Sequence, residues 1–172
     1  MALHFHEDSY CQIELLPRAA YDFCAGELLV IRDFAEAHRE ADGFTDMYMR
    51  GPPPSGLRDA KIALPGLHEF VGDRLPFHAV VTTGYSTFVE VAALTIGFGD
   101  PSCCLFFELD DAENVRSGWA HLASHDPVAY ERMGQVLMDM GACLDLILVD
   151  WERSVLVSLD EPSRLSAYLA AL

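Results

Sequence analysis

The chain has 172 residues, 51% of them apolar, which suits one domain with a conventional core. Acids outnumber bases 27 to 11, for a formal net charge of −16. Such a surface repels nucleic acid and anionic membranes, because both are polyanions. The longest apolar runs, CCLFFEL and LDLILVDW, fall short of the roughly 20 residues that a membrane-spanning helix takes. The opening MALHFHEDSY has neither the basic nor the apolar region of a secretory signal, so a soluble, cytoplasmic protein is expected.

Residues 9–16, SYCQIELL, alternate with period two and predict a strand with Cys11, Ile13 and Leu15 on its apolar face. Tyr10, Gln12, Glu14 and Leu16 then share the other face. Pro17 suits the first turn of a helix. Apolar residues at Phe23, Cys24, Leu28, Ile31 and Phe34 carry that helix to about Ala41, with Gly43 as its stop. Gly26 inside it suggests a break or a close helix contact. FTDMYMR reads as a strand, GPPPSG as the clearest loop, AKIAL as a short strand and LHEFVGDR as one helical turn.

FHAVVTT is strand-like. In STFVEVAALTIGFG, Thr87 and Glu90 offer a capping box, but the β-branched content favours a buried strand. CCLFFEL reads as an interior strand. Asp110 and Glu113 then give a D-x-x-E start for a helix carrying Val115, Trp119 and Leu122 on one face. Asp126–Pro127 opens the next helix, with Met133, Val136, Leu137 and Met140 as its stripe and Gly141 as its end. CLDLILVDW is a second interior strand, and ERSVLVSLD follows so closely that a hairpin is the natural connection. Asp160 is placed to cap a last helix with Leu165, Tyr168, Leu169 and Leu172 on its inner face.

This mixed order predicts a single α+β domain over residues 1–172, a mainly antiparallel sheet with helices packed on it. A doubly wound sheet is the runner-up. Against it, the G-x-G of TIGFGDPS lacks a third glycine and leads into a strand.

Several clusters carry candidate chemistry. His4 and His6 share a strand face and can bind zinc if a third ligand arrives from elsewhere. Glu108, Asp110, Asp111 and Glu113 crowd a strand end, where carboxylates can hold a divalent metal or stabilise a helix start. No G-x-S-x-G elbow surrounds Ser86, and His121 and His125 do not form H-E-x-x-H. Asp145 and Asp150 flank an apolar strand; Asp145 is expected in solvent near its start or paired with an arginine. Trp151 and Glu152 sit at a turn, where an exposed tryptophan beside acids makes an anchor for a protein partner and a half-buried one belongs to the core. Met47, Tyr48 and Met49 lead into the proline loop and suit an interface. The five cysteines show no regular spacing and read as small, reduced hydrophobes.

The whole-chain profile, with the acidic stretches ELDDAE and VDWE, resembles bacterial immunity proteins, the cytosolic antidotes to toxins delivered between competing cells. The resemblance implies a non-enzymatic protein without a cofactor that occludes a basic surface of a cognate toxin. Its contact residues would be Glu108, Asp110, Asp111, Glu113, Asp150, Trp151, Glu152 and Tyr48. The alternative is a small metal-dependent hydrolase using His4 and His6 or the Asp110 cluster. Whether the apolar excess feeds a homodimer is left open.

Overall fold

The computed structural model describes residues 2–85 and 87–172, and Ser86 lies outside them. The chain forms β1 (Leu3–Phe5) and β2 (Ile13–Pro17), then α1 (Tyr21–Ala37) and a small ribbon of β3 (Arg39–Glu40) and β4 (Gly43–Phe44). Past the proline loop come α2 (Leu57–Ala60) and α3 (Leu64–Val71). The strands β5 (Phe77–His78), β6 (Val81–Tyr85), β7 (Phe88–Val91), β8 (Thr95–Asp100), β9 (Cys103–Leu109) and β10 (Val115–Leu122) follow in succession. Then α4 (Pro127–Leu144), β11 (Leu146–Asp150), β12 (Val155–Ser158) and α5 (Pro162–Ala170) complete the fold.

Among the described residues, seven strands form one sheet in the order β12-β11-β2-β10-β9-β8-β5, with every ladder antiparallel. A second sheet, β1-β6-β7, joins a parallel pair to a hairpin. The architecture is the expected α+β, a mainly antiparallel sheet carrying helices.

Period-two alternation divides the large sheet into two cores. Leu15, Leu105, Phe107, Leu146 and Leu148 point to one face, where Leu57, Leu67, Met133, Leu137 and Leu165 from the later helices cover them. On the other face Leu16, Ile147 and Val149 lie under Cys24 and Leu28 of α1. Beside them, Cys104, Phe106 and Trp119 lie under Leu3, Phe5 and Val81 of the small sheet. Interior strands covered on both faces explain the unbroken apolar runs of β9 and β11.

Several local expectations are corrected. The helix expected from Asp110 is instead the hairpin β9–β10. The Asp110 carboxylate accepts the amides of Ala112 and Asn114, both at 2.9 Å, and Glu113 takes a left-handed φ of 59°, so the chain reverses at once. A bulge between Val115 and Ser117 mimics helical spacing, yet Val115 and Leu122 face one core and Trp119 the other. The first predicted strand starts only at Ile13, after a turn at 7–9 and a left-handed Cys11. As a central strand it buries Leu15 and Leu16 on opposite faces.

Pro17 ends β2 rather than opening α1, which stops at Ala37 before the ribbon. FTDMYMR forms no strand beyond Phe44, and AKIAL keeps only the bridge of Ala63 to Asn114. LHEFVGDR makes two helical turns in α3 rather than one. STFVEVAALTIGFG divides into an exposed β7 and a buried β8. Asp160 does not cap α5; it accepts the Ser158 hydroxyl and pairs with Arg18. Among the described residues, no helix is long and apolar enough to cross a membrane.

Two glycines behave opposite to their sequence reading. Gly141 lies inside α4, where an added Cβ would meet Leu159 Cβ at 2.3 Å. Gly26 lies in α1 with nothing within 4 Å of its missing Cβ. Gly141→Ala should therefore destabilise by about 1–3 kcal/mol through overpacking. Gly26→Ala should stabilise by about 0.5–1 kcal/mol through helix propensity. Urea denaturation of the two variants checks both signs.

Candidate protein-binding surface

The register sets the two acidic turns far apart. Ile13 pairs with Asp150 and Ala120 at one end of the sheet, and Pro17 pairs with Leu146 at the other. The turn holding Asp110, Asp111 and Glu113 lies at the Pro17 end, where β10 begins. The turn holding Trp151 and Glu152 lies at the Ile13 end. The expected contact residues thus do not form one patch.

Their individual environments differ as well. Glu108 is half-buried, accepting the Tyr10 and Ser117 hydroxyls at 3.0 Å each and facing Arg116 at 3.4 Å. Asp111, Glu113 and Glu152 are exposed. Asp150 is only 1% exposed; it accepts the Tyr168 hydroxyl at 2.8 Å and the Arg153 amide at 2.9 Å. Burial and the Asp150 carboxylate push the Tyr168 phenol upward. Trp151 is 6% exposed and belongs to the core under α1. Asp150 and Trp151 are therefore structural here and present little surface to a partner. Tyr48 is half-buried, donating its hydroxyl to Glu27 at 2.8 Å.

Sequence reasoning missed the charge buried in the central strand. Glu14 is 8% exposed and accepts Arg50 Nη1 at 2.9 Å and Trp151 Nε1 at 3.0 Å. The Arg50 guanidinium also stands 4.4 Å from the Trp151 ring centroid and donates to the Cys11 carbonyl at 3.4 Å. The β2–β10 ladder has only two residue pairs. Beyond it a cavity of about 390 Å³ opens, lined by Glu14, Leu16, Pro53, Leu57, Arg116 and Ser117. Pro52, Pro53 and Pro54 of the proline loop form one wall of it. A signal existed: an acid in an otherwise apolar central strand demands a cation, and arginines are few.

The other candidates resolve singly. His4 Nδ1 contacts Thr82 Oγ1 at 3.1 Å, and His6 accepts the Asp8 amide at 3.4 Å. Among the described residues, no group of three or more His, Cys, Asp or Glu is arranged to hold a metal. His121 sits on β10, where burial lowers its pKa, and His125 lies in the following loop. Cys11 and Cys104 are pushed up to about 12, and Cys24 and Cys103 to about 11, mainly by burial. These four act as small hydrophobes, not thiolate nucleophiles. Asp145 stays in solvent at the start of β11 and pairs with Arg18 at 2.8 Å. A groove of about 660 Å³ runs between α4 and α5 past His125, Tyr130, Met138 and Leu169.

A run of exposed apolar residues lies where the sequence suggested burial. On β7, Phe88, Val89 and Val91 are 61%, 57% and 64% exposed, and Tyr85, Leu94 and Val80 extend the patch. Tyr85 stacks edge-on against His6 at 4.6 Å, and the charges of Asp8 and Glu7 push its phenol upward. Apolar side chains ringed by carboxylates have the composition of a protein contact: dry anchors within a polar rim. Comparison with known proteins finds no matching family model, no matching curated protein and no matching solved structure.

Two predictions follow from the buried pair and the acidic turn. Arg50→Ala leaves Glu14 desolvated and should cost about 3 kcal/mol in urea denaturation. Replacing Glu14 with Leu and Arg50 with Met together should cost much less. The amides of Asn114 and Ala112 hold the Asp110 carboxyl below its ordinary value. Its folded pKa is depressed, so its contribution is present above the unfolded pKa and lost as pH falls through the folded one. The destabilisation by Asp110→Ala should be seen at pH 7 and shrink as the pH drops below the usual carboxylate range.

Proposed function

We propose that this chain is a non-enzymatic acidic binding protein of the immunity type. It acts in the cytoplasm and neutralises a cognate toxin by covering a basic surface. A nuclease effector is the partner class best matched, since its substrate site is built to attract a polyanion. The observation that carries this reading is the uncompensated charge. Among the described residues, seven arginines pair with eight carboxylates, while the chain holds 27 acids. Most acids are left facing water. Such a field speeds encounter with a cation-rich protein and disfavours polyanionic substrates.

The dispersion of the acids supports the same reading. Carboxylates gathered at one point would suit a metal or a substrate, whereas carboxylates on opposite ends of a sheet act as a long-range field. Affinity must then come from desolvated apolar contacts, which the β6–β7 hairpin offers.

Co-expression with a panel of basic nuclease toxin domains tests the proposal. At least one toxin should be tolerated only with this chain present, and its purified activity should be lost at stoichiometric addition. Failure across the panel contradicts it, as does metal-dependent turnover of a substrate by the purified chain.

A further inference from the structure

β7 is an open edge. It pairs with β6 on one side, and the order β1-β6-β7 leaves its other side free. An unpaired edge is a template for strand addition, and proteins normally blunt such edges with lysine, proline or a covering element. β7 has neither lysine nor proline, its single charge is Glu90, and among the described residues no further strand pairs with it. The sequence holds no proline between Pro76 and Pro101, and no lysine or arginine between Arg74 and Arg116. The large sheet differs, ending on the two-residue β5 at one side and on β12, packed against α1 and α5, at the other. All four β7 side chains are exposed, so both faces of the strand, as well as its edge, are uncovered.

The charge around this edge selects its occupant. Glu90 lies within β7, and Glu7 and Asp8 flank Tyr85 at the hairpin end. Residues 1–17 and 75–115 hold no lysine or arginine, so β1, β6 and β7 are without either. A second copy of the chain would bring another Glu90 and another body of charge −16 to the same edge. A segment carrying both apolar and cationic side chains meets Val89 and Val91 with the first and Glu90, Glu7 and Asp8 with the second.

We propose that β7 takes up an extended segment of a cationic protein as a fourth strand of the small sheet. Main-chain hydrogen bonds hold the segment; its alternate apolar side chains cover Val89 and Val91 on one face of β7, and the intervening lysines or arginines answer Glu90, which shares the other face with Phe88. This rests on the reading that the ligand is a basic protein, and it specifies where and how that protein docks.

A short synthetic peptide of alternating Lys and Val, offered to the full chain, tests the mode of binding. Fluorescence anisotropy should show binding that weakens roughly tenfold or more when alternate peptide nitrogens are methylated, since methylation keeps charge and removes strand pairing. Val91→Lys, at an exposed position, should weaken it similarly with an unchanged circular dichroism spectrum. Equal binding of the methylated peptide overturns strand addition, and so does equal binding of a Glu–Val peptide. Sedimentation that shows a wild-type dimer dissociated by Val91→Lys assigns the edge to a second copy and also overturns it. Inhibition of a basic toxin that Val91→Lys leaves intact overturns the edge while the proposed function stands. Peptide binding of the expected kind with no toxin inhibited overturns the function while the edge stands.

Discussion

One buried carboxylate governs how the polypeptide is threaded. Glu14 stands on the central strand β2, where desolvation of an unpaired charge would cost several kcal/mol. Arg50 and Trp151 answer it, one 36 residues downstream and the other 137. Meeting that demand fixes the segment after α1 across the sheet and carries the proline loop to the cavity beyond the β2–β10 ladder. It also delivers Leu57 to the core on the far face. The same seam separates the α1 layer from the small sheet, so β1, β6 and β7 form a distinct layer.

That separation explains how surface and charge are divided. The large sheet is covered on both faces and supplies stability. The small sheet covers Cys104, Phe106 and Trp119 with one face and leaves β7 at its margin. Aromatic packing anchors this layer: Phe5 meets Trp119 edge-on at 5.1 Å and Phe106 at 5.3 Å. Through β1, whose Leu3 and Phe5 lie in this cluster, β6 and its partner β7 are tied to the large sheet. The surrounding acids act over roughly a Debye length, about 8 Å at physiological salt, and so set the approach more than the final fit.

Much of the architecture was legible. The interior strands β9 and β11 declared themselves by unbroken apolar runs, the β11–β12 hairpin by its short connection, and α4 by Asp126–Pro127, whose carboxylate does accept the Val128 amide. The failures share a physical cause. An aspartate accepting nearby amides looks the same in sequence whether it starts a helix, as Asp126 does, or closes a hairpin, as Asp110 does. Alternating β-branched residues look the same in a buried strand and at an open edge, so FVEV gave no sign of its exposure. Glu14 read as an outward residue because its partners lie too far away in sequence for periodicity to reveal them. The acidic clusters were legible as clusters, but their placement at opposite ends of the sheet depends on strand order, which composition does not encode.

The central claim is that the negative surface recruits a cationic protein and apolar contacts retain it. Its most direct measurement is the rate of association with an inhibited basic toxin as salt is raised. The account predicts that kon falls steeply with ionic strength while koff changes little. An association rate indifferent to salt would contradict it.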